Sequence, residues 1–233
     1  MVSNGWHFPK LYNRLLPFRE SLTGITFSLD GASQSTHDGL RGQGSYRRLL
    51  QAMSVCMAVD LPFTLNMVIT RYNQVEVEAL VELAARLGAG GVRFGQLMPG
   101  GDPDLELTLQ ERRAVEQRIW ALQPAAPLPV VLAPGYYTTE LFPCAPLNLE
   151  ECNVDWQGNI NLCCHLSGYG HGSDGVGQLA TLNFADALSR LRRLRNRLRL
   201  EKETRSNNGE FREEDDFPCL YCYRHFDKAT PTI

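Results

Sequence analysis

The sequence predicts an α/β protein in which parallel βα units are followed by a smaller, cysteine-containing α+β part. Three observations carry this prediction. Short apolar runs alternate with segments of helical periodicity as far as Pro134, which is the pattern of parallel βα units. After Pro134 the alternation stops, and proline, glycine and cysteine become frequent. Leucines at three- and four-residue spacing then predict a helix over 183–203.

Apolar periodicity and turn residues justify each element of the first part. Gly88 is placed to end a helix, and Thr108 with Glu111 forms the sequence signature of a capping box. Periodicity does not separate an open sheet from a barrel. In chain order we expect a strand end and turn over 2–5, strands over 25–29, 63–69, 91–97 and 130–132, and helices over 9–19, 45–59, 75–87 and 108–122.

The second part contains a predicted β-hairpin before its long helix. Gly158 and Asn159 supply the turn, and alternating residues then carry the chain to Cys163. A solvated loop is expected over 204–216, where small polar and charged residues dominate.

Composition and charge argue against several classes of protein. A formal net charge of −3 over 233 residues gives no general reason for binding nucleic acid or an anionic membrane. Arginines over 190–199 interleave with leucines, which favours a solvated helix face, balanced by the acidic residues 213–216, over a nucleic-acid patch. No apolar run approaches the ~20 residues that span a bilayer, and residues 1–10 lack the pattern of a signal peptide. We therefore expect a cytoplasmic protein whose seven cysteines stay reduced.

Cysteine spacing gives the strongest candidate for a metal centre. The four candidate ligands are Cys144, Cys163 and the C-x-x-C pair Cys219 and Cys222. Four thiolates hold either a zinc ion or an iron–sulfur cluster, so both remain open. Cys152 or Cys164 could replace one ligand, although Cys164 should point away from Cys163 if both lie on a strand. Cys56 falls in an amphipathic helix and is expected to be a core thiol, and His165, His171 and His225 are expected to be surface residues.

Several segments, taken in order, match the motifs of one enzyme family. They are residues 3–5, 27–31, 37–38 with 41–46, 66–70 with Asn73, 93–101, the Gly158-x4-Cys163 hairpin and the pair Cys219 and Cys222. Together they resemble the third to sixth strands and the cluster domain of radical S-adenosylmethionine (SAM) enzymes with SPASM or twitch extensions. The resemblance covers essentially all 233 residues.

The resemblance implies a partial parallel (β/α) barrel of the radical SAM type over residues 1–133, beginning at the third strand. A small α+β domain of the SPASM or twitch type would follow over 134–233. The implied SAM-binding residues are Ser28, Asp30, Arg41 and Asn66, and the four cysteines would hold an auxiliary [4Fe-4S] cluster. The implied activity is reductive cleavage of SAM to a radical that abstracts hydrogen from a peptide or small-molecule substrate, with an electron donor such as a flavodoxin or ferredoxin.

The residues of the implied SAM site also have ordinary interpretations. Ser28 and Asp30 are equally consistent with a turn after a strand, and Arg41 with a solvated loop arginine. Asn66 and Gln96 either face a barrel interior and bind SAM or cap the edge of a neighbouring strand.

The sequence departs from the family pattern in two places. The C-x3-C-x2-C loop that holds the SAM-cleaving cluster is absent, and the chain ends eleven residues after Cys222, which favours the shorter twitch type. We therefore expect this chain to be inactive alone, with the missing part supplied by a longer reading frame or a partner. The alternative is a non-catalytic zinc- or cluster-binding scaffold or peptide-binding protein.

Overall fold

The computed structural model describes residues 1–98, 102–166 and 175–226. The chain divides into two compact units. The sheet unit is built from residues 1–97 and 104–133, and the cysteine unit from residues 98–103 and 134–233. Residues 99–101 of the predicted sixth-strand motif and His171 lie outside the described residues.

Five parallel strands form the sheet unit and lie side by side in chain order. The strands are β1 (Val2–Ser3), β2 (Ile25–Ser28), β3 (Phe63–Ile69), β4 (Val92–Gln96) and β5 (Val130–Leu132). The helices are α1 (Phe8–Leu15), α2 (Gln34–Arg41), α3 (Ser45–Ala58), α4 (Val77–Arg86) and α5 (Leu109–Leu122). This sequential order of parallel strands and helices confirms the predicted α/β fold and is the order found in a segment of a (β/α) barrel.

The two faces of this sheet differ in polarity. Along β3 the buried residues are Phe63, Leu65, Met67 and Ile69, and the residues between them are half-buried or exposed. The buried set packs with apolar residues of α1, α3, α4 and α5 in one core. Burying each large apolar side chain contributes about 1.5–3 kcal/mol to the free energy of folding. This alternation therefore determines which face of the sheet packs against the helices. The other face, called the polar face below, carries Thr26, Ser28, Thr64, Asn66 and Arg93.

Helix boundaries in the sheet unit follow local signals. The capping box of Thr108 and Glu111 is present, as predicted. Gly88 has a φ of +71° and follows the end of α4, where its amide donates to Ala85 O (3.1 Å). A 3-10 helix, Leu16–Ser21, replaces the second half of the helix predicted over 9–19. The sequence did not predict α2, because this short helix is polar and lacks an apolar stripe.

The cysteine unit pairs a small antiparallel sheet with helices. Its strands are β6 (Asn153–Val154), β7 (Asn159–Asn161) and β8 (Gly175–Gln178), and its helices are α6 (Ala145–Asn148), α7 (Phe184–Asn207) and α8 (Pro218–His225). The predicted hairpin is confirmed, with Gly158 at φ +82° in its turn. The loop prediction over 204–207 is wrong, because α7 continues to Asn207. No helix within the described ranges is long and apolar enough to cross a membrane.

Candidate functional site

Asp30 organises the carboxyl end of β2 in the sheet unit. Its side chain is buried, and Oδ1 accepts a hydrogen bond from the amide of Val68 on β3 (2.9 Å). Oδ2 accepts from Nε of Arg41, the last residue of α2, and forms an ion pair with it. The structure therefore brings together two of the predicted site residues, Asp30 and Arg41, and links both to β3.

His37 and Asn73 hold the backbone around Asp30. Nδ1 of buried His37 accepts a hydrogen bond from the Asp30 amide (3.0 Å), which requires that this nitrogen carry no proton. Burial lowers the pKa of His37, which favours the neutral ring. The Asn73 side-chain amide donates to Asp30 O (3.0 Å) and Val68 O (2.9 Å), and ties the ends of β2 and β3 together.

Glu76 fixes the start of α2 from a distant part of the chain. One carboxylate oxygen accepts from the Ala32 amide (2.6 Å) and the Ser33 amide (3.3 Å), and the other from the hydroxyls of Ser33 (3.0 Å) and Thr36 (2.6 Å). Desolvation acts to raise the pKa of Glu76, but hydrogen bonds from Thr36 and Ser33 outweigh it and lower the pKa overall. Glu76 therefore stays ionised and holds the loop that follows Asp30.

Asp38 orders the loop that follows Arg41. Its carboxylate accepts from the amides of Tyr46 (2.8 Å) and Gly44 (2.9 Å) and from the Ser45 hydroxyl (3.0 Å). The Tyr46 amide is the largest cause that lowers the pKa of Asp38, to about 2. Gly44 adopts a φ of +83° in this loop, a conformation that glycine reaches without strain.

Ser28 and Asn66 are neighbours on the polar face. They are register partners on β2 and β3, so their side chains leave the sheet on the same side. Arg93 extends this row as the partner of Asn66 on β4. Ser28 and Asn66 make no side-chain hydrogen bond with another residue that the structure describes, so their polar groups remain available to a ligand.

Gln96 lies at the end of β4 and is held by a buried arginine. Its Oε1 accepts a hydrogen bond from Nη1 of Arg112 on α5 (2.7 Å), and Arg112 also donates to Leu97 O (3.2 Å). Among the described residues, the Gln96 Nε2 has no hydrogen-bond partner. Gln96 thus links its strand to a helix, an arrangement that neither sequence interpretation included.

All four candidate cysteine ligands belong to the cysteine unit. Cys144 precedes α6, Cys163 follows β7, and Cys219 and Cys222 lie one helical turn apart on α8. Burial, followed by the neighbouring Cys219 and Cys144, raises the pKa of Cys222. The sulfur of Cys164, then burial, raises the pKa of Cys163, with a contribution from Cys219. Cys219 thus contributes to the pKa shifts of both Cys163 and Cys222.

The other cysteines occupy different environments. Cys56 is fully buried in α3, which confirms the expected core thiol, and burial raises its pKa to about 11. Cys152 and Cys164 are exposed. The expectation that Cys164 points away from Cys163 is wrong, because β7 ends at Asn161 and the chain turns into a 3-10 helix, Cys164–Leu166. Hydrogen bonding from Cys163 lowers the pKa of Cys164 to about 6.

The described residues contain no group of three or more His, Cys, Asp or Glu side chains arranged to hold a single metal ion. His225 lies on α8, stacked on Tyr221 with ring centroids 6.0 Å apart, and its Nδ1 is 3.4 Å from Glu201 Oε1. The backbone oxygen of His165 accepts from the Tyr223 hydroxyl (2.9 Å).

The arginines of α7 over 190–199 are exposed or half-buried, as expected for a solvated helix face. The acidic segment 213–216 was expected to balance them. Instead Glu214 pairs with Arg224 (2.7 Å) and Asp215 with Arg205 (3.3 Å), because these arginines lie closer in the fold.

Sequence reasoning missed the roles of Glu76, Asp38 and Arg112. Asp38 fell within a matched motif, but its contacts with residues 44–46 were not anticipated. Glu76 and Arg112 gave no sequence signal, because their partners lie up to 44 residues away. Such contacts form only when the βα units stack.

Comparison with known proteins gives partial matches. No family model matches the chain. It is 36% identical over 81 residues to an AdoMet-dependent heme synthase of Methanosarcina barkeri. The matched segment makes up 34% of this chain and 23% of that protein. It is also 33% identical over 78 residues to mycofactocin maturase MftC of Mycobacterium tuberculosis. That matched segment makes up 33% of this chain and 20% of the relative. The chain thus spans less than a quarter of these relatives.

Solved structures share the fold at low identity. Streptococcus suis SuiB bound to S-adenosylmethionine has a TM-score of 0.57 at 12% identity, over 73% of this chain and 44% of that one. The structure of anSMEcpe with AdoMet and the Kp18Cys peptide has a TM-score of 0.57 at 13% identity, and the match covers 80% of this chain and 55% of that one. With the parallel sheet and the motif order, these matches agree on one family. Over these segments the chain is similar to radical SAM enzymes of the SPASM type.

Proposed function

We propose that this chain forms part of a radical SAM/SPASM-type enzyme, in which the sheet unit contributes part of a SAM site and the cysteine unit holds an auxiliary [4Fe-4S] cluster. The observation that carries the proposal is the Asp30–Arg41 ion pair, fixed at the carboxyl end of a parallel strand. Ligands bind at this end of the strands in parallel α/β folds. Ser28 on β2 and Asn66 on β3 lie beside this pair, and their side chains make no hydrogen bond within the part of the chain that the structure describes.

The four residues of the sheet-unit site have different roles in binding SAM. The Nε of Arg41 is occupied by Asp30, and its terminal guanidinium nitrogens make no hydrogen bond within the described residues. A planar guanidinium suits the carboxylate of the methionine part of SAM. Both oxygens of Asp30 are engaged, by Arg41 and by the Val68 amide, so Asp30 acts through Arg41 as a positioning residue. Ser28 and Asn66 supply further hydrogen bonds.

The cysteine unit provides a donor set that suits a thiolate-ligated cluster. The four candidate ligands all lie in this unit and are each only partly exposed; they are Cys144, Cys163, Cys219 and Cys222. When bound, a [4Fe-4S] cluster would supply one-electron chemistry or a position for substrate. The alternative is that four thiols bind zinc in a non-catalytic scaffold or peptide-binding protein, but no group among the described residues is arranged to hold a single metal ion.

The substrate and the electron source follow from the family. The name of the mycofactocin maturase and the peptide in the anSMEcpe structure support a peptide substrate, with a small molecule as the alternative. A flavodoxin or ferredoxin would supply electrons. The sequence contains no C-x3-C-x2-C motif, so we propose that these 233 residues alone do not cleave SAM.

Calorimetric titration of SAM tests the sheet-unit site. We expect the wild-type chain to bind SAM and Arg41→Met to bind about ten- to a hundredfold more weakly, because a charge-assisted hydrogen bond contributes about 1.5–3 kcal/mol. Arg47→Met, which removes an exposed arginine from α3, should bind as the wild type does. Equal SAM affinity in Arg41→Met and the wild type, or no binding by either, would contradict the proposed site.

A further inference from the structure

One position in the buried stripe of α7 carries a charge. The residues of α7 that face the core repeat every three or four positions. They are Ala187, Leu191, Leu194, Leu198 and Lys202. Lys202 is 2% exposed, less than Leu194 at 6%. The sequence therefore places an ammonium group where packing alone favours a hydrocarbon side chain.

The Lys202 ammonium has few compensating contacts. Its Nζ donates a hydrogen bond to Leu141 O (2.7 Å) and lies 5.0 Å from the centre of the Tyr221 ring and 5.9 Å from that of Phe211. Within the described ranges Lys202 forms no ion pair with an aspartate or glutamate. The nearby Arg205 is paired with Asp215.

The contacts of Lys202 lie beside two of the candidate ligands. Leu141 is three residues before Cys144, and Tyr221 directly precedes Cys222. Burial lowers the pKa of Lys202, and the neighbouring Cys222 and Cys144 oppose that shift.

A buried ammonium is costly unless an anion compensates it. Neutral thiols compensate it poorly, whereas thiolates that ligate iron keep their negative charge. A [4Fe-4S] core counted with four thiolates is a dianion in its oxidised form, which matches a fixed positive charge beside two of its ligands.

We propose that Lys202 is the buried counter-charge of an iron–sulfur cluster held by Cys144, Cys163, Cys219 and Cys222, and that it raises the reduction potential of this cluster. The inference rests on the proposed function and adds a residue that tunes the same site. The step concerned is transfer of one electron from an external reductant, which converts the dianion to a trianion without breaking a bond or moving a proton. Lys202 stabilises the trianion more than the dianion, so reduction becomes easier.

The test uses four versions of the full chain, reconstituted anaerobically with iron and sulfide. They are the wild type, Lys202→Met, which removes the charge, Lys202→Arg, which keeps it, and Arg192→Met, which removes an exposed charge from the same helix. Iron and sulfide are counted for each, and the midpoint potential is measured by dithionite titration followed by electron paramagnetic resonance. Neither readout depends on enzymatic activity.

Lys202→Met should bind the same iron and sulfide as the wild type but show a lower midpoint potential. At a fixed potential its ratio of reduced to oxidised cluster should fall about tenfold, which is about 59 mV for one electron. Lys202→Arg should stay close to the wild type, and Arg192→Met should match it.

The other outcomes also decide the question. An unchanged potential in a fully loaded Lys202→Met would overturn the counter-charge and leave the proposed function intact. Loss of the cluster in Lys202→Met but not in Lys202→Arg would support a need for the charge. Loss in both variants would mean that Lys202 serves packing and would overturn the inference. A wild-type chain that takes up no iron and sulfide would overturn both proposals.

Discussion

Two carboxylates, Asp30 after β2 and Asp38 within α2, hold the backbone and side chains of the candidate SAM site in place. Asp30 joins Arg41 to the Val68 amide, and Asp38 joins the end of α2 to the start of α3. In both cases a carboxylate oxygen accepts a hydrogen bond from a backbone amide of another element. The position of Arg41 therefore depends on residues on either side of it.

The pH dependence of stability reports on Asp38. Its pKa is about 2 in the folded protein against an ordinary value of 3.8, because the Tyr46 amide and further donors favour the ionised form. A lowered folded pKa contributes stability that is present above about pH 3.8 and is lost as the pH falls towards 2. The difference in melting temperature between wild type and Asp38→Asn should therefore be largest near neutral pH and shrink below about pH 4. A difference that stays constant from pH 7 to pH 2 would show that the charge of Asp38 is unimportant.

The junction between α2 and α4 shows how elements hold the site. Glu76, in the 3-10 turn Gln74–Glu76 before α4, satisfies donors at the start of α2. Glu78, two residues later, instead forms a two-point ion pair with Arg118 of α5, in which both side chains are well exposed (40% and 46%). Exposed ion pairs contribute little to stability, whereas the donors that face Glu76 are partly buried, and losing their acceptor costs more.

Matched substitutions at these two glutamates test this difference. Glu76→Gln should lower the free energy of unfolding by about 1–3 kcal/mol, because its new NH2 group would face the donors of α2. Glu78→Gln should cost less than about 1 kcal/mol. Urea unfolding followed by circular dichroism measures both. If the two variants lose equal stability, the special role assigned to Glu76 is wrong.

At the scale of the whole molecule, the sequence predicted local structure better than long-range contacts. The capping box of Thr108 and Glu111 and the turn at Gly158 were predicted because their signals lie within a few residues. Ser28, Asp30, Arg41 and Asn66 could be named only through the motif resemblance, and the Asp30–Arg41 pair appears only when α2 packs beside the strands. The charge of Lys202 within a leucine stripe was visible in the sequence, but its setting among cysteines was not.

The central question is whether this chain holds an auxiliary cluster. Its parallel sheet and motif order resemble those of radical SAM enzymes, whereas its match to the relatives extends over a quarter or less of their length. The cysteine unit can be tested by itself within the full chain. Its four sulfurs come from three separate segments, so a shared cluster would also tie those segments together.

The most direct measurement is the content of iron, acid-labile sulfide and zinc per chain after anaerobic reconstitution. We expect about four irons and four sulfides in the wild type, the content of one [4Fe-4S] cluster. The double variant Cys219→Ala/Cys222→Ala should lose them, while Cys152→Ala and Cys164→Ala, which alter exposed thiols, should keep them. One zinc without sulfide would contradict the auxiliary cluster and favour a structural metal module, and full loading of the double variant would contradict the assigned ligands.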